Sequence, residues 1–140
     1  KLKNSQTLEV VDATTVKLNA IDLLRTLEVP WKELPIKNGW SVYFGGGYSK
    51  SYDGLVVVQG MVQGTMNKDA SGNQLDTIIA NLPAGCRPIA TNMVFFCHTR
   101  TGTAMRVDVN TNGDMVVKGG VESGTYSSYL DLAGIVFRVN

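Results

Sequence analysis

The stretch Val107-Asp108-Val109-Asn110-Thr111-Asn112-Gly113-Asp114-Met115-Val116-Val117 decides the fold. Two β-prone runs flank the pair Asn112-Gly113, and Asn and Gly tolerate the positive φ that tight hairpin turns require. Before the turn, Met105, Val107 and Val109 share one face, and Arg106 and Asp108 share the other. That alternation marks a strand with one buried and one wet face. The same reading extends in both directions. Residues 55–66 predict a long strand, apolar at Val56, Val58 and Val62 on one face and at Leu55, Val57 and Met61 on the other. Such a strand is covered on both sides, and a neighbouring subunit is one way to cover the second. Residues 76–82, 92–99, 126–132 and 135–139 predict further strands, with Gly134 as a bulge or bend. Residues 40–44 predict another, followed at Gly45-Gly46-Gly47 by a flexible or closely packed bend. Short strands at regular turn spacing define an all-β, antiparallel β-sandwich of jelly-roll type.

Residues 1–30 differ from the rest. They hold no aromatic residue, and Thr-Leu-Glu-Val occurs twice, at 7–10 and 26–29. Leu8/Val10, Val16/Leu18, Ile21/Leu23 and Leu27/Val29 are spaced by two, as in strands. A helical reading competes over 19–27, where Ala20, Leu23, Leu24 and Leu27 would share a face. Either way, so short a segment cannot bury its own Leu and Val, so residues 1–30 read as an oligomerising neck and 31–140 as a head. The chain starts at Lys1 rather than Met and shows no signal peptide, and so reads as a fragment or processed product.

Composition narrows the function classes. The 140 residues are 44% hydrophobic and 18% charged, enough apolar material for a core. Thirteen basic and twelve acidic residues give a net charge of +1, with the basic ones scattered, which argues against nucleic acid. No apolar run approaches the ~20 residues of a membrane helix, so no membrane insertion is expected. Cys86 and Cys97 are too few for a disulfide framework; two free, semi-buried thiols are the simpler reading, one bridge the alternative.

Catalytic patterns are missing from the sequence, and neither an enzyme nor a cofactor is expected. The single histidine, His98, follows Cys97 in a strand, where neighbours face opposite ways and cannot share a metal. The acids are dispersed, with no pair set for glycoside hydrolysis. Gly45-Gly46-Gly47 lacks the lysine and context of a phosphate loop. Binding is better supplied. Tyr43, Tyr48, Tyr52, Tyr126 and Tyr129 lie near loops and strand ends. Sugars stack on aromatic faces while planar polar groups match their hydroxyls. The candidate saccharide site is therefore Tyr48, Tyr52 and Tyr126 with His98, Arg100 and Asp108. Trp31 and Trp40 read as packing residues.

The order of motifs resembles the C-terminal head regions of bacteriophage tail receptor-binding, tail-fibre and baseplate proteins. It runs from TLEVPWKELPIKNGW (26–40) through YDGLVVVQGMVQG (52–64) and NLPAGCRPIA (81–90) to MRVDVNTNGDMVV (105–117) and YLDLAGIVFRV (129–139). The Leu-Pro-Ala-Gly-x-Arg-Pro segment, the hairpin and the closing Leu-x-Gly-Ile-x-Phe pattern carry most of the likeness. Cys86 departs from it, standing where an aromatic residue is usual. The resemblance implies a homotrimer with a β-rich neck, attached to other tail or baseplate proteins on its N-terminal side. It also implies recognition of host cell-wall or capsular saccharide by a virion component at the host surface. A structural fibre or decoration domain, and a tailspike-like depolymerase, are the competing readings.

Overall fold

The computed structural model describes residues 8–10, 16–18, 29–120 and 129–139. The chain divides into two compact units, Lys1–Pro30 and Trp31–Asn140. In the first, β1 (Leu8–Val10) and β2 (Val16–Leu18) pair antiparallel, Leu8 opposite Leu18 and Val10 opposite Val16. These are the stretches whose spacing of two predicted strands. The competing helix at 19–27 lies outside the described residues.

The second unit is all-β and antiparallel, the class the sequence predicts. Its strands are β3 (Ser41–Lys50), β4 (Leu55–Gln63), β5 (Thr77–Asn81), β6 (Met93–Thr99), β7 (Ala104–Val109), β8 (Asp114–Val117), β9 (Leu130–Asp131) and β10 (Ile135–Arg138). They form one curled sheet in the order β10-β4-β9-β6-β7-β8-β5, with β3 on the remaining edge of β4. β4 holds the sheet together because it is shared: β10 takes its first half and β9 its second. β9 then hands over to β6 through His98 and Thr99. Alternate residues point inward to one core that includes Val56, Val58, Val62, Ile79, Leu82, Met105, Met115, Leu130 and Ile135, all without solvent exposure.

The deciding hairpin forms as predicted, β7 against β8, with Val109 opposite Met115. Its turn differs in detail. The Gly113 amide donates to the Asn110 carbonyl (2.8 Å) and the Asn110 amide to that of Asp114 (2.8 Å). Gly113 takes φ +93°, whereas Asn112 keeps a negative φ. The turn is centred on Thr111-Asn112, and Gly113 fills the bulge position that follows, a three-residue loop rather than a two-residue one. This glycine also lets the turn touch the Pro83–Pro88 corner. The Leu82 amide donates to the Gly113 carbonyl (2.8 Å), and Arg87 Nε donates to the Leu82 carbonyl (2.7 Å). A Cβ at 113 would lie 2.3 Å from the Leu82 oxygen and 2.5 Å from Arg87 Nε.

Two strand boundaries need correction. The chain does not bend at Gly45–Gly47; β3 runs through them, with register shifts between Val42 and Phe44 and between Phe44 and Gly47. The glycines permit contact of two backbones: a Cβ on Gly60 would lie 2.4 Å from the Gly46 Cα. β4 stops at Gln63 instead of 66 because Gly64 lies against the Trp40 indole, whose Nε1 donates to the Thr65 carbonyl at 3.2 Å. Trp40, 5% exposed, is a packing residue as predicted; Trp31 is half exposed. The strand expected over 126–132 is formed at Leu130–Asp131, and residues 126–128 lie outside the described residues. Gly134, at φ +95°, turns the chain from β9 into β10.

Candidate binding surface

Cross-strand register assembles the outer face of the sheet from residues far apart in sequence. Phe44 is opposite Met61, Met61 opposite Asp131, Asp131 opposite His98, and His98 opposite Ala104. Directly opposed residues on one face lie close enough to interact, so this is a continuous row across five strands. Their sequence neighbours Val62, Leu130, Cys97 and Met105 fill the core, which is why the row itself points outward. Phe44 is 72% exposed, and Phe96, two residues before His98, is 62% exposed. Beside the row, Tyr43 and Tyr129 stack with ring centroids 5.4 Å apart and an interplanar angle of 12°. One step beyond His98 comes Arg100, exposed at the start of the β6–β7 turn.

The six residues chosen from sequence separate on the structure. His98 and Arg100 are both exposed; His98 is opposite Asp131 in register, and Arg100 follows in the turn after β6. Tyr48 is not a surface residue; it is 6% exposed, and burial, with the nearby Cys86, raises its phenol pKa. Tyr52 is exposed, but it sits in the β3–β4 turn at the start of β4, whereas Tyr43 is near its end. A nine-residue strand separates them by about 30 Å. Asp108 is on the predicted face but only 9% exposed, and both its oxygens bind Arg106: Nε to Oδ1 at 2.8 Å and Nη2 to Oδ2 at 3.0 Å. The wet face expected at Arg106 and Asp108 is thus a half-covered ion pair. Tyr126 lies outside the described residues. Tyr43, Tyr129 and Asp131 were missed as a group because only strand register brings them together.

The grouped residues supply the elements of sugar recognition. The stacked tyrosines give a flat apolar platform, Arg100 and His98 give donors, and Asp131 gives an acceptor whose Oδ1 already takes the Ala133 amide at 2.9 Å. Behind His98, the Cys97 thiol is 1% exposed; burial and the Asp131 charge push its pKa up to about 12. Cys86 is also free, and both thiols are buried rather than semi-buried. A separate cleft of about 330 Å³, lined by Pro88, Ile89, Ala90, Thr91, Met93 and Arg138, opens near the start of β6. It lacks an aromatic wall, and its arginine is tied to Asp53 at 3.1 Å.

Fold and surface together define a class: a small antiparallel β head with an exposed aromatic face. Among solved structures the chain is similar to the receptor binding protein (gp15) of Listeria phage PSA, with a TM-score of 0.64 and 20% sequence identity. The match covers 86% of this chain and 71% of that one, so the two share a fold. No family model matches the chain, and no curated protein matches it.

Proposed function

We propose that this chain is the receptor-binding head of a bacteriophage tail and that it holds host cell-surface saccharide on Tyr43, Tyr129, His98, Arg100 and Asp131. The observation that carries the reading is the stack of exposed Tyr43 on half-buried Tyr129 beside polar groups of both signs. The fold shared with a phage receptor binding protein supports it. In this reading the chain is a homotrimer in the virion. Residues 1–30 are the trimer's neck and the side that meets other tail or baseplate proteins. No catalysis, metal or cofactor is needed. Weak sites repeated on a rigid trimer reach useful affinity by avidity.

The test is binding of the fluorescently labelled chain to intact host cells and to their purified wall polysaccharide. Loss of one stacking ring costs about 1 kcal/mol, roughly fivefold per site and more on a trimer. Tyr43→Ala and Tyr129→Ala should therefore lower cell binding well beyond fivefold, and Tyr52→Ala should not change it. Binding to no host strain would favour a structural fibre domain. Oligosaccharides released from the polysaccharide would make the chain a depolymerase.

A further inference from the structure

We propose that the outer face of β6 and β10, with Ile89 at its rim, is the surface on which a second copy of this chain sits. The proposal rests on the homotrimer reading above and adds which face makes the contact. β6 and β10 lie side by side, because the Phe95 and Phe137 rings meet beneath them with centroids 6.3 Å apart. Met93 of β6 and Arg138 of β10 also line one cleft. Both strands are set by β4 and β9, so β6 runs antiparallel to β10, and the register brings Val94 to the level of Val136, with Phe96 next along the same face. No backbone ladder joins β6 to β10 among the described residues. The seam is bridged by side chains alone.

Outside that seam the side chains are apolar and bare. Phe96 is 62% exposed, Val94 48%, Val136 41% and Ile89 69%. Together they expose on the order of 400 Å², the size of the largest apolar patch on a typical monomer. It is also about half of what one partner buries in a standard interface, enough to form its apolar centre.

Charge points to a second copy as the occupant. A surface that meets its own kind meets its own charges, so unpaired charge of one sign would repel. Here the charges around the patch cancel in place: Arg106 is held by both oxygens of Asp108, and Arg138 by Asp53. Nucleic acid and anionic membranes select the opposite, cations left unpaired. The cleft beside Ile89, about 330 Å³ and mostly apolar, is a recess into which an apolar side chain of the copy fits.

The experiment uses the full chain and reads occlusion, which a trimer held by residues 1–30 alone would not produce. Light scattering first gives the oligomer. Phe96→Cys and, as a second position, Val136→Cys are then labelled with a thiol reagent, with Tyr52→Cys, at an exposed turn far along the sheet, as reference. The two native thiols are buried. The expected result is a trimer in which Cys at 96 and 136 labels at least tenfold more slowly than Cys at 52. Equal rates in a proven trimer overturn this surface and leave the homotrimer reading standing. A monomeric chain overturns both, while cell binding by that monomer would leave the saccharide site intact.

Discussion

Replacing Gly113 by Ala tests the contact between the deciding hairpin and the Pro83–Pro88 corner. Gly113 has φ +93°, a conformation that costs an L residue about 1–2 kcal/mol. The new methyl would also stand 2.3 Å from the Leu82 oxygen and 2.5 Å from Arg87 Nε. One of these must move, which strains or breaks the Leu82–Gly113 and Arg87–Leu82 hydrogen bonds, worth about 1 kcal/mol or more each. The whole change should destabilise the chain by about 3–4 kcal/mol, a large share of the 5–15 kcal/mol typical of a domain. Gly72 supplies the control, since it has φ +85° with nothing within 4 Å of an added Cβ. Gly72→Ala should cost only the conformational part, about 1–2 kcal/mol. Urea unfolding followed by tryptophan fluorescence measures both. Equal losses for the two variants would refute the close approach of Gly113 to Leu82 and Arg87.

Other expectations follow from the charges and thiols. Asp108→Asn removes the charge from a bidentate partner of the half-covered Arg106 and weakens two charge-assisted hydrogen bonds, so stability should fall by about 2 kcal/mol in the same urea assay. The Asp53 carboxyl is held below its ordinary pKa by Ser51 and Arg138 and that of Asp69 by Asn73, while at Asp76 the pull of Lys118 and the Gly119 amide outweighs burial. A carboxyl with a lowered folded pKa stabilises the fold above its unfolded value and loses that contribution as pH falls through the folded one. The urea midpoint should thus be flat near neutrality and drop below about pH 4, with Asp76→Asn dropping less. With its pKa near 12, the Cys97 thiol should resist a thiol reagent at pH 8 in the native Cys86→Ser variant and react rapidly once unfolded.

The strands were legible in the sequence because each has a core face spaced by two, and the hairpin was legible through Asn112-Gly113. β3 was not. Its two register shifts break the parity that assigns faces, so Tyr48 looked as available as Tyr43 although one is buried and the other 58% exposed. The glycine triplet reads as a bend locally; only the approach of Gly60 shows why three glycines stand in a strand. His98 and Arg100 were chosen as planar polar groups, and strand alternation and turn position do put them outside. Asp131 and the Tyr43–Tyr129 stack depend on which strands are neighbours, and β4, β9 and β6 come together only in the folded sheet. Asp108 was placed on the right face, but its closure by Arg106 is a side-chain event that alternation does not encode.

The location of the saccharide site is tested most directly by amide chemical-shift mapping of the labelled chain titrated with host wall polysaccharide. The expected perturbations cluster at Tyr43, Phe44, His98, Arg100, Tyr129 and Asp131, and Tyr43→Ala removes them. Saturable perturbations centred on the Tyr52 turn or the Ile89 cleft, with none at Tyr43 and Tyr129, would contradict the account.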